Sequence, residues 1–87
     1  MTTIKQINNR VIEFGHNYEH EKQRVMKTLW SCKNIPQLEN AKNYFKLLLK
    51  KWDDVLQHNA TIRTLVEIDE HKFYKEYNSM CAQFNYL

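Results

Sequence analysis

The chain has little that bends a backbone. One glycine and one proline stand among its 87 residues. Hairpins need glycine or Asn-Gly turns at short intervals, so a sheet architecture is excluded. A glycine-rich phosphate loop is excluded on the same count. Cysteine is scarce too: Cys32 and Cys81 lie far apart, without a Cys-x-x-Cys spacing. A disulfide scaffold needs more, and both thiols are expected reduced and packed as small apolar groups. No apolar run has the length that spans a bilayer. The opening "MTTIKQINNR" lacks the apolar core of a signal peptide, so the chain reads as cytosolic and without a membrane role. Its length allows a single domain over residues 1–87 with a thin stability margin. So little chain walls in a deep cleft only with difficulty, which counts against an elaborate active site.

What is present is helical periodicity. Hydrophobic content of 43% and aromatic content of 13% are too high for a disordered chain. In the first third, Ile4, Ile7, Val11, Phe14, Tyr18, Val25, Leu29 and Cys32 recur at steps of three and four, with one polar beat at Glu21/Lys22. That is one amphipathic stripe, startable by a Thr2 or Thr3 cap. It predicts a first helix over about residues 3–33, continuous or kinked at Gly15. Pro36 then suits the first turn of a second helix, capped by Asn34 or Ile35. Leu38, Ala41, Phe45, Leu48, Leu49, Trp52, Val55 and Leu56 carry that helix over 36–57. Thr64-Leu-Val-Glu67 spells a capping box for a third helix over 64–85. Its inward residues are Leu65, Val66, Phe73, Tyr77, Met80 and Phe84. Asp69 falls near this stripe. Either the helix is interrupted near "IDEH" or Asp69 reaches water at a bundle end, and one helix is the preferred reading. The expected fold is all-α, a small three-helix up-down-up bundle.

"HNYEH", from His16 to His20, has the His-x-x-Glu-His spelling of an inverted zinc-peptidase motif. On a helix turning 100° per residue, the core stripe points one way and the two histidines nearly the other. A catalytic zinc needs its ligands and its Glu base enclosed. A third ligand from Glu67, Glu70 or Glu76 would have to reach across from another helix. We therefore expect no metal site, no cofactor and no catalytic residue here. No nucleophile–base pair is spelled elsewhere, so no enzyme and no small-molecule substrate is expected.

The net charge of +3 is unevenly distributed. Residues 1–51 carry ten Lys/Arg against four Asp/Glu, and residues 52–87 carry three against six. Lys22 and Lys27, with Arg24 and Lys33, enrich the end of the first helix. Lys42, Lys46 and Lys50 recur every four residues on the second. Together they form a candidate nucleic-acid surface that reads phosphate charge. Glu39, Asp53 and Asp54 punctuate this row, and the alternative is a solvated face with helical ion pairs.

Aromatic and leucine side chains off the stripes make the second candidate surface. Leu47 lies opposite the stripe of the second helix, with Tyr44 on its shoulder. Trp30 lies off the first stripe and Tyr74 off the third. Tyr and Trp are anchors of protein interfaces. Trp30, Tyr44, Leu47 and Tyr74 are thus the candidate partner-binding residues, for another protein or for self-association.

"WSCKNIPQLENAKNYFKLLLKKW", residues 30–52, resembles a segment of short, mostly uncharacterised helical proteins of bacteriophages and related mobile elements. The resemblance rests on Ser31-Cys32, the joint Lys33 to Pro36, and the helix start Gln37, Leu38 and Ala41. It covers about a quarter of the chain and contains no catalytic motif. It implies a virion accessory or an inhibitor of host protein machinery. The expected function is a non-enzymatic protein-interaction module, with nucleic-acid binding through the Lys face as the alternative.

Overall fold

The computed structural model of the chain describes residues 4–85, with side chains over 8–85. The described residues form helices joined by short turns, with no strand among them. Helix α1 spans Ile4–Trp30, α2 Ile35–Lys51, α3 Asp53–His58 and α4 Ala60–Asn85. The candidate Thr2/Thr3 cap and the side chains of Ile4 and Ile7 lie outside the described residues.

Helix α1 runs through Gly15 without a break and ends at Trp30, three residues before the expected Lys33. Gly15 has no positive φ, and the helix is continuous across it. Asn34 caps α2, its Oδ1 accepting from the Gln37 amide at 2.9 Å, with Pro36 in the first turn.

The second expected helix is two helices. Trp52 sits in the turn between α2 and α3 with φ −103° and ψ 11°. Its indole is buried and anchored from several sides. Nε1 donates to Glu21 Oε1 at 3.0 Å. Phe14 meets the ring edge-on at 5.5 Å, and the Arg10 guanidinium lies over it at 4.6 Å. Asp53 and Asp54 then open α3, where carboxylates favour the positive end of a helix. Arg10 reaches across to Asp54 at 2.9 Å and donates to the Lys51 carbonyl at 2.8 Å.

Helix α4 starts four residues earlier than the capping box indicates. Asn59 does the capping, its Oδ1 accepting from the Ile62 amide at 3.0 Å. Thr64 lies one turn inside, and its hydroxyl donates back to the Ala60 carbonyl at 3.0 Å. A threonine in an established helix satisfies itself this way and caps nothing. The helix continues unbroken through "IDEH". Asp69 is not at an end: it faces α1 at mid-helix and accepts from the Tyr18 hydroxyl at 3.0 Å. Leu65 is displaced from the core, because Ile62, Val66, Phe73 and Tyr77 form the inward stripe and Leu65 falls beside it.

Cross-helix pairs give the directions. Arg10 with Asp54 and Glu21 with Lys51 set α1 antiparallel to the α2–α3 arm. Glu39 with Tyr77 and Phe45 with Phe73 set α2 antiparallel to α4. The core between them is led by Trp52, Phe45, Phe73, Leu29 and Leu38. Cys32 and Cys81 are free thiols. Cys32 is buried, and burial pushes its pKa up. No helix among the described residues is long and apolar enough to cross a membrane.

Candidate functional site

Two surfaces carry exposed apolar side chains. The first is a ledge where α2 meets α1. Tyr44 and Leu47 stand 40% and 66% exposed. They border a hollow of about 200 Å³ completed by Glu21, Arg24, Leu48 and Lys51. Helical spacing builds it: Phe45 and Leu48 point into the core, so their neighbours Tyr44 and Leu47 point out beside α1. Glu21 is committed to Lys51 and to the Trp52 indole. Arg24 has no carboxylate partner among the described ion pairs. The ledge thus offers an aromatic ring, a leucine and an uncommitted guanidinium side by side.

The other two candidate partner-binding residues are not part of it. Trp30 is exposed but lies six residues beyond Arg24, about 120° around α1. Tyr74 is half-buried among aromatic rings, 5.3 Å from Phe73 and 6.1 Å from Tyr77. Much of its ring area is therefore spent on the core.

The candidate phosphate-reading lysines differ in how they are paired. Lys22 turns toward α4, paired with Glu19 at 2.8 Å and near Asp69 at 3.5 Å. Lys42 pairs with Glu39 at 3.0 Å and lies over the Tyr77 ring at 5.4 Å. Lys27, Lys46 and Lys50 are without carboxylate partners among the described ion pairs, but Lys27 is on the outer face of α1 and the other two are on α2. His16 and His20 are both exposed. The Glu19 carboxyl between them is held below the usual carboxylate range by its hydrogen bond from Lys22.

The second surface was not singled out from the sequence. Among the described residues, α1 and α4 approach each other least of all the helix pairs. Between them runs a groove of about 420 Å³ lined by Phe14, Gly15, Tyr18, Leu65 and Ile68, with Glu19, Lys22, Asp69 and Lys72 along it. Leu65 and Ile68 are 57% and 48% exposed. A side chain at Gly15 would meet nothing within 4 Å, so the groove is open beside it. Tyr18 lies under this groove, and burial next to Asp69 pushes its phenol pKa well above the ordinary value. The sequence pattern assigns Leu65 to the inward stripe and leaves Ile68 unassigned; the structure leaves both exposed.

No family model, curated protein or solved structure matches the chain.

Proposed function

We propose that the chain is a three-helix bundle, with α2 and α3 together forming its middle arm, that works as a non-enzymatic protein-interaction module. The observation that carries this reading is the ledge. Tyr and Arg are the residue types that dominate binding energy at protein interfaces, and Tyr44 and Arg24 flank an exposed Leu47 there. Lys46 and Lys50 on the same helix favour a partner with acidic groups around an apolar centre, through faster encounter and charge selection. A phage-encoded inhibitor of a host protein is the biological setting that the joint at residues 30–52 implies.

The test is a tagged pull-down from host lysate with and without nuclease, read by mass spectrometry, using the natural chain and the pair Tyr44→Ala/Leu47→Ala. A protein retained through nuclease treatment and lost in the double variant is the expected result. Circular dichroism of the double variant should match the natural chain. Partners lost on nuclease treatment would instead support nucleic-acid binding through Lys27, Lys46 and Lys50. Unfolding of the double variant would mean that Tyr44 and Leu47 serve the core.

A further inference from the structure

Internal ion pairs leave the faces of the bundle with unequal charge. Glu21 is the carboxylate that lines the ledge, and it is already shared between Lys51 and the Trp52 indole. Arg24 lines the same hollow with no partner among the described ion pairs. Lys27 lies one turn beyond Arg24 on α1, and Lys50 one turn beyond Leu47 on α2. Both lysines are exposed, and neither has a partner among the described ion pairs. With Glu21 and Lys51 cancelling each other, Arg24, Lys27 and Lys50 leave an excess of positive charge around Tyr44 and Leu47. The hollow on the α4 side of α2 and α3 has the opposite balance, with Asp53, Glu67 and Glu70 against Arg63. An acidic partner is therefore drawn to one face of the bundle and repelled from another.

The size of the ledge hollow bears on what accompanies that charge. At about 200 Å³ it falls below the ~300–1,000 Å³ of small-molecule sites. It has room for one large side chain, the kind of anchor on which protein interfaces depend. A nucleic-acid strand fits less well. Single strands stack successive bases on successive rings, whereas Tyr44 is the one ring lining this hollow and its neighbour is Leu47. The unpaired cations also stand on two helices, on either side of the apolar pair, rather than in one row that tracks a phosphate backbone.

We infer, building on the interaction-module reading, that the ledge receives an acidic linear segment of a partner protein. One large apolar side chain of that segment fills the hollow between Tyr44 and Leu47. Carboxylates on either side of it meet Arg24 and Lys27 on the α1 rim and Lys50 on the α2 rim.

Fluorescence anisotropy of the full chain with a short labelled peptide, one Phe between runs of Asp and Glu, tests this at low salt. The peptide should bind with a Kd below roughly 1 mM. Replacing its acids by Asn and Gln, or its Phe by Ser, should each weaken binding by roughly tenfold or more. On the protein, Arg24→Glu/Lys50→Glu should do the same. Its circular dichroism should be unchanged, because both side chains are exposed. Glu67→Gln/Glu70→Gln, on the far face, should leave the affinity within about twofold. Four results would overturn the inference: no binding up to roughly 1 mM peptide, equal binding of the neutral peptide, indifference to the charge reversals, or an oligothymidylate that binds tighter than the acidic peptide. The pull-down separates this failure from failure of the broader reading. A partner protein lost with Tyr44→Ala/Leu47→Ala but kept by Arg24→Glu/Lys50→Glu leaves the interaction module standing and removes the acidic segment.

Discussion

Helix α4 meets its two long neighbours in different ways. Against α2 it packs with rings. Phe45 and Phe73 lie 4.4 Å apart, Tyr77 donates to Glu39, and Lys42 covers the Tyr77 face. Against α1 it is held by tips. Tyr18 reaches Asp69 through its hydroxyl, and Lys22 reaches the same carboxylate. Rings that interdigitate draw two backbones together, because each gains contact only at close approach. Long side chains meeting at their polar ends hold two helices at arm's length. The comparison teaches that one helix can close one side of a bundle and leave the other open according to where its polar residue falls in the stripe.

The largest effect that probes this contrast is on the closed side. Phe73→Ala should cost about 3–5 kcal/mol, because a fully buried ring leaves a cavity. Ile68→Ala, on the open side, should stay within about 0.5 kcal/mol when measured by denaturant unfolding. Equal costs would mean that the α1–α4 side is packed as tightly as the other.

A smaller effect concerns the start of α4, since the turn before Thr64 puts Leu65 well inside the helix. Asn59→Ala should lower stability by about 1 kcal/mol, as loss of an N-cap does. Thr64→Ala should change the melting temperature hardly at all. The reverse ranking would restore Thr64 as the cap and shorten the helix that flanks the groove.

The smallest effect is electrostatic. Asp54 is held below the ordinary carboxylate range, chiefly by its hydrogen bond from Arg10. A carboxylate whose folded pKa is depressed stabilises the fold above its unfolded pKa, and that contribution is lost as pH falls through the folded value. Stability should therefore decline below about pH 4. Arg10→Gln should flatten the part of that decline due to Asp54, as read by urea midpoints across the acid range. An unchanged slope would mean that solvent already screens this half-exposed pair.

The all-helical class, a helix cap at Asn34 or Ile35, and the stripes of α1 and α2 were legible in the sequence. They depend on local spacing and turn chemistry, which neighbouring residues decide. The outward positions of Tyr44 and Leu47 were legible for the same reason, because adjacent Phe45 and Leu48 set the register. The break at Trp52 was not legible. It follows from an indole anchored by Glu21, Arg10 and Phe14, all about 30 or more residues away in sequence. Nor was the role of Asp69, which looks like an interruption until Tyr18 supplies its partner.

The sequence by itself determined which segments are helical and which face of each is apolar, because period and capping are properties of the local chain. Tertiary structure alone decided which helices close against each other, where Leu65 and Ile68 emerge, and that only two of the four off-stripe residues share a surface. Those outcomes depend on distances between segments that no local pattern encodes.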